Sequence, residues 1–239
     1  MSIERDREPI DTTLDMRDDA SGRDPDQHSP TLRRYHKLLW SKPLPGGALF
    51  DLDDRTPGSY LHHKSDLGEF SLSSDSAIHT FTRWSRMATI MAQIPREDIE
   101  AFRREAYTIG GMIVFPANKV DGKPTINGAR GMNRRISDRI DLTLECIRRH
   151  YAGETSPLGE VLDRYSGFFD LFDDFAGYVD FFLLQDLLTE DRNAVKFLME
   201  FDDFTTPAVP SDLDSYLAYR DRTMEFLTAR NRRIAELYG

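Results

Sequence analysis

Between Lys119 and Arg149, eight basic side chains (Lys119, Lys123, Arg130, Arg134, Arg135, Arg139, Arg148 and Arg149) face four acidic ones (Asp121, Asp138, Asp141 and Glu145). The whole chain carries a net charge of -10, so this segment is a basic island in an acidic protein. Within it, Asn127, Gly128, Arg130, Gly131, Arg134 and Arg135 read as a loop that leads into a helix. Glycines let a backbone approach an anion, guanidinium forks match pairs of phosphate oxygens, and a helix start adds the positive end of its dipole. The pattern predicts a cradle for a phosphate-bearing ligand, a nucleotide or a nucleic acid. The competing reading is structural: Asn127-Gly128 is only a turn, and the arginines pair with the acidic remainder. No Walker or dinucleotide fingerprint accompanies the loop.

Other side chains admit other chemistry. Asp138, Asp141 and Glu145 fall on the face of the following helix opposite its apolar stripe, a spacing at which carboxylates can hold magnesium or manganese. These acids, or alternatively Asp170, Asp173, Asp174, Asp180 and Asp186, would have to converge in one cleft for a metal-dependent phosphodiester hydrolase, the first alternative function. The plainer account is that Glu145 pairs with Arg149 four residues on, so neither a metal site nor a cofactor is expected. His62 and His63 point to opposite faces if they lie on a strand, which disfavours a shared ion. Ser73-Ser74-Asp75-Ser76 with His79 contains the residue types of a hydrolytic triad, but no nucleophile elbow, and helix capping explains Ser74 and Asp75. A non-enzymatic protein-protein interaction module is the second alternative, and the aromatic run Phe168 to Phe182 is its candidate groove, although seven aromatics there fit a buried core better.

The elements that must position these groups are mostly helical. Leu32, Tyr35, Leu39 and Trp40 predict a short helix from about Thr31, ended by Pro43, Pro45, Gly46 and Gly47. Short apolar pieces at 48–52 and 70–72, separated by Thr56-Pro57-Gly58 and Asp66-Leu67-Gly68, predict small strands or a hairpin. Ser74 or Asp75 is expected to cap a helix to about Gln93, and a second helix spans Arg96 to Tyr107. Met112 to Phe115 predicts a buried strand. The best-patterned helix runs from Ser137 to Tyr151, capped by Ser137 or Asp138, with Ile136, Ile140, Leu144, Ile147 and Tyr151 as its stripe. Short helices interrupted at Gly167 and Gly177 follow, then a strand at 195–197. A terminal helix capped by Ser211 or Asp212 carries Leu213, Leu217, Met224, Leu227, Ile234 and Leu237. The class is α+β, predominantly helical, with a few short strands.

Residues 1–30 hold nine acids, four arginines and no aromatic residue, so they are expected to form a disordered acidic tail before a single domain over 31–239. The single cysteine, Cys146, fits a reducing compartment, and the charged N-terminus lacks the apolar stretch of a secretory signal. Five aspartates interrupt the most apolar region, Phe168 to Leu188, so no membrane span is expected. A net charge of -10 also argues against non-specific coating of DNA. These features place the protein in the cytoplasm; nothing in the sequence signals an oligomeric state.

The strings Leu39-Trp40-Ser41-Lys42-Pro43-Leu44-Pro45, Ile126-Asn127-Gly128-Ala129-Arg130-Gly131 and Asp138-Arg139-Ile140-Asp141-Leu142-Thr143-Leu144-Glu145-Cys146-Ile147-Arg148-Arg149 resemble a bacterial family catalogued only as a domain of unknown function. Phe201-Asp202-Asp203-Phe204 belongs with them, and the resemblance extends roughly from Leu32 to Arg233. It implies a cytoplasmic bacterial protein and carries no activity, cofactor or catalytic residue with it.

Overall fold

In the computed structural model, which describes residues 8–53 and 61–238, order begins earlier than the composition suggests. Ile10, Met16 and Ala20 are buried. The acids of this stretch serve as local caps: Asp11 accepts the Thr13 N–H at 2.9 Å, Asp15 the Arg17 N–H at 3.0 Å, and Asp24 the Asp26 N–H at 3.1 Å. Longer links tie it down, with Met16 N–H donating to the Tyr107 carbonyl at 3.0 Å and Asp11 N–H to the Tyr35 hydroxyl at 2.8 Å. The expected disorder through Pro30 is therefore corrected from residue 8 onward. Side-chain caps and three small apolar anchors replace the missing aromatic mass.

Asp24 caps the one-turn helix α1 (Pro25–His28), and Ser29 caps α2 (Pro30–Trp40), whose Leu32, Tyr35, Leu39 and Trp40 are buried as their spacing predicts. Next come β1 (Lys42–Pro43) and β2 (Leu49–Phe50), an antiparallel pair. The turn expected at Thr56-Pro57-Gly58 lies outside the described residues. A hairpin of β3 (Leu61–Ser65) and β4 (Gly68–Ser76) turns at Asp66-Leu67, and β5 (Met112–Pro116) completes an antiparallel sheet in the order β3-β4-β5.

The helix expected from Ser74 to Gln93 is absent. Ser74 and Asp75 belong to β4, paired with Val114 and Ile113, and Ser74 is buried. After Ala77 the chain forms a loop in which Phe81 is left-handed (φ 57°), and only one 3-10 turn (Ser85–Met87) and the single-turn α3 (Ala88–Met91) are helical. α4 (Arg96–Glu105) follows as expected.

Residues read as the Asn-Gly-Arg loop are themselves a helix, α5 (Ile126–Met132), capped by Thr125 through the Gly128 N–H. α6 (Ile140–Tyr151) starts three residues later than expected, because Ser137 and Asp138 are left-handed (φ 46° and 62°) and form a turn. α7 (Gly159–Arg164), α8 (Ser166–Phe169) and α9 (Phe175–Phe181) are short, and Gly167 and Gly177 lie inside them rather than between them. The break is at left-handed Asp173 (φ 63°), after which Asp174 caps α9. At 195–197 there is only an isolated bridge, Leu188 to Val195. The terminal helix α10 (Leu213–Tyr238) turns inward the side carrying Tyr216, Tyr219, Thr223, Phe226, Leu227, Arg230 and Ile234, whereas Leu237 is exposed.

Buried apolar side chains form one continuous cluster from Ile10 to Ile234. The aromatic run is its centre: Phe168, Phe172, Tyr178 and Phe182 are all fully buried, and Trp40 meets Phe182 at 5.2 Å between ring centroids. Arg230 crosses this core and donates to the carbonyls of Gly110 and Met112, both at 2.8 Å, and of Phe182 at 2.9 Å. These carbonyls replace the water a buried guanidinium has lost. They also fasten α10 to the start of β5 and to the end of the aromatic run.

Candidate functional site

Arg130 organises a buried polar cluster. Its side chain is fully buried. The guanidinium donates to the Thr143 hydroxyl at 3.0 Å and the Asp75 carboxylate at 3.3 Å, and lies 3.2 Å from the Asp138 carboxylate. It also bonds the Asn127 side-chain oxygen at 3.4 Å, while the Asn127 amide donates to the Ser73 hydroxyl at 3.2 Å. One buried charge thus bridges α5, α6, β4 and the turn before α6.

Asp75 and Asp138 border a cleft of about 350 Å³, walled by the loop after β4 (Ile78, His79, Thr80, Thr82, Arg83 and Trp84) and rimmed by Arg17, Arg103 and Tyr107. A smaller hollow of about 150 Å³ shares Asp75, Ser76 and Tyr107 with it and adds Asp24 and Asp26 from the N-terminal segment. Burial raises the Asp75 carboxyl above the usual range; Arg130 opposes the rise and Asp138 adds to it. Burial likewise pushes Asp26 up to about 7, against the Ser74 N–H that it accepts at 2.8 Å. His79 is lowered by burial, with Asp138 opposing and Arg86 assisting. Three non-glycine residues at or beside the cleft, Phe81, Ser137 and Asp138, sit in left-handed backbone. Such strain persists only where the surroundings hold it, and it concentrates at working sites, as do shifted carboxyls.

The wall is held from behind. Tyr219 on α10 donates to the His79 carbonyl at 2.8 Å, and Tyr216 to the Thr80 carbonyl at 3.4 Å. At the rim, Arg17 pairs with Asp15 and stacks over the Tyr107 ring at 4.3 Å, and Arg103 pairs with Glu100. Arg83 is exposed and makes no ion pair among the described residues.

The predicted cradle is divided by the fold. Arg130 cannot reach solvent, and its charge is spent on Asp75 and Asp138. Asn127 backs the cleft floor through Ser73, and Gly128 belongs to the capped start of α5. Gly131, Arg134 and Arg135 are exposed near the end of α5 and in the turn after it, and neither arginine forms an ion pair among the described residues. The cradle as one continuous loop is corrected accordingly.

Other expected constellations also separate. Asp141 is buried against Arg139 and accepts the Leu198 N–H at 2.9 Å, while Glu145 pairs with Arg148 and Arg149 at 2.9 and 2.7 Å. Asp174 caps α9 and Asp180 pairs with Arg192. No group of three or more His, Cys, Asp or Glu side chains is placed to hold a metal among the described residues. His62 bonds Glu69 at 2.9 Å, whereas His63 turns inward and stacks on Phe50 at 4.2 Å. Ser74 meets His36, not His79, at 2.7 Å. The His36 Nδ1 accepts the Trp40 indole N–H at 2.8 Å, so the neutral ring carries its proton on Nε2 and donates to Ser74. That is the reverse of what activates a serine nucleophile.

A larger cavity of about 530 Å³ lies beside α10, lined by Lys196, Phe197, Arg222 and Glu225. Its half-buried acid, Asp186, is committed to Arg233 at 2.9 Å, so size favours that cavity and chemistry favours the smaller cleft. Sequence reading did not mark His79 as a wall residue, nor Arg17, Arg83, Trp84, Arg103 and Tyr107 as site residues. Their one shared signal, aromatics interleaved with arginines, is spread from residue 17 to 107.

The chain belongs to a family of unknown function (DUF6994), whose model matches residues 10–234. Comparison with curated proteins and with solved structures finds no match. The match starts at residue 10, so the family pattern takes in the N-terminal segment that packs against Tyr35 and Tyr107. No helix among the described residues is long and apolar enough to cross a membrane.

Proposed function

We propose that this protein binds a small phosphate-bearing ligand of nucleotide type in the Asp75/Asp138 cleft. The observation that carries the reading is the floor: a buried arginine holds two carboxylates at the bottom of a cleft whose rim is arginine and aromatic. Carboxylates accept N–H groups of a heterocycle, the Trp84 and Tyr107 rings line the cleft with Arg86 and Arg17 stacked over them, and Arg83, which makes no ion pair among the described residues, suits a phosphate. The volume of about 350 Å³, with about 150 Å³ adjoining, falls in the lower part of the range of about 300–1,000 Å³ usual for small-molecule sites. A free nucleotide suits this cleft better than a nucleic-acid polymer, which needs a broad basic face that a chain of net charge -10 does not supply. We also infer a bacterial cytoplasmic setting, from the family resemblance and from a single cysteine, Cys146, that is buried.

Thermal unfolding tests the reading, with the four ribonucleoside monophosphates, the matching nucleosides and inorganic phosphate as probes. A ligand held at about a hundred times its Kd stabilises by about 2.7 kcal/mol, a readily measured shift. At least one monophosphate should raise the Tm more than its nucleoside or phosphate alone. Arg83→Ala and Asp75→Asn should each weaken that shift. No shift with any probe at millimolar concentration defeats the proposal.

A further inference from the structure

The two ring nitrogens of His79 are not equivalent. Nδ1 accepts the backbone N–H of Phe81 at 2.9 Å. A nitrogen that accepts keeps its lone pair for that bond, so in the uncharged ring the proton resides on Nε2. Nε2 has no partner among the described residues and is not sealed from solvent. The ring cannot easily turn away, because it packs against Phe81 at 4.4 Å and Trp84 at 4.6 Å, and its own carbonyl is held by Tyr219 at 2.8 Å. The left-handed backbone of Phe81 (φ 57°) is what brings that N–H back to Nδ1.

We propose that His79 reads the ligand, presenting Nε2–H to an acceptor oxygen, phosphoryl or carbonyl, of the molecule held in the cleft. The inference rests on the nucleotide reading given above and deepens it. The floor carboxylates accept, so they sort for ligand donors; His79 donates, so it sorts for a ligand oxygen. The uncharged state is favoured at neutral pH by burial and by Arg86, with Asp138 opposing, and Asp75, Arg17, Arg83 and Arg103 are the other charged groups that line the same cleft. An uncharged imidazole that donates can select an oxygen without adding a fixed charge to the wall.

The test begins without ligand. In the 15N-labelled protein at neutral pH, a long-range 1H–15N correlation should show His79 as the Nε2–H tautomer; an Nδ1–H tautomer or an imidazolium overturns the proposal. Guanosine monophosphate, adenosine monophosphate, their nucleosides and inorganic phosphate are then titrated in. The His79 Nε2 signal should move with the same probes that move the Trp84 indole N–H. Response to phosphate identifies a phosphoryl acceptor, and response to a nucleoside a carbonyl or ring acceptor. If Trp84 responds and His79 does not, the cleft binds but His79 does not read the ligand, and this inference alone falls. If neither responds, the nucleotide reading falls with it. For a probe that binds, His79→Gln, whose amide can place an N–H near the Nε2 position, should keep affinity within about threefold. His79→Asn, which retains only the acceptor for Phe81, should lose about tenfold. Equal losses in two variants with wild-type unfolding midpoints also overturn it.

Discussion

The side-chain oxygen of Asn231 accepts the backbone N–H of Gly110 at 2.8 Å across 121 residues of sequence, and both residues are buried. The Asn231 amide completes the link by donating to the Thr108 hydroxyl at 2.9 Å. A Cβ on Gly110 would collide with that same oxygen. Gly110→Ala should therefore break the bond or displace α10, at a cost of about 1–3 kcal/mol, the usual range for forcing a carbon into a packed site. Urea unfolding measures it; an unchanged midpoint would show that α10 moves aside freely.

Leu144 is fully buried on α6. Leu144→Ala should cost about 2–5 kcal/mol, from lost transfer energy and the cavity left behind. A denaturation midpoint equal to wild type would contradict its placement in the core.

The three arginines of the expected cradle should now behave differently from one another. Arg130→Ala strands Asp75 and Asp138, and removing one partner of a buried pair costs about 3–5 kcal/mol. Because Asp75 keeps 35% side-chain exposure and Asp138 26%, solvent screening lowers the expectation to about 2–3 kcal/mol. Arg134→Ala and Arg135→Ala, at exposed positions, should stay within about 0.5 kcal/mol of wild type. Calorimetry on the three single variants separates the cases.

Asp26 predicts a pH dependence. Its carboxyl rises from 3.8 to about 7 on folding, chiefly through burial, with Asp24 and Asp75 adding repulsion and Arg33 opposing. The folded protein thus holds a proton that the unfolded chain releases. The stabilisation is complete below about 4 and is lost as the pH climbs to about 7. Asp26→Asn cannot ionise and still offers an oxygen to the Ser74 N–H. The Tm of wild type should therefore fall relative to Asp26→Asn between about pH 4 and 7 and run parallel above. A constant difference across that window would show that Asp26 does not titrate there.

What could be read from sequence was what neighbours along the chain determine. α2, α4, β5, α6 and α10 announce themselves through apolar spacing and nearby caps or breakers, and the class follows from them. The polar end of β4 did not, because Ser74 and Asp75 look like cap residues until His36, Asp26 and Arg130 arrive from elsewhere to satisfy them. Asp138 likewise looks like a cap, and its partner Arg130 turns it into cleft floor. The inward side of α10 was legible at Leu227 and Ile234 but not at Tyr216, Tyr219, Arg230 and Asn231, which also make hydrogen bonds inside the fold. At the site, Arg130 and Asn127 were legible as residues. The sequence separation of 55 between Arg130 and Asp75 hid what they do there.

β3 begins at Leu61, opposite Leu72, and further along β4 the Asp26 side chain accepts the Ser74 N–H. A bare strand edge is a template on which another chain can add a strand, and a carboxylate set over it blocks that addition. The charged N-terminal segment thus guards the molecule against its own copies. Proteolytic loss of residues 8–28 would free the Ser74 N–H for pairing with another chain, although by composition that stretch looks the most dispensable part of the protein.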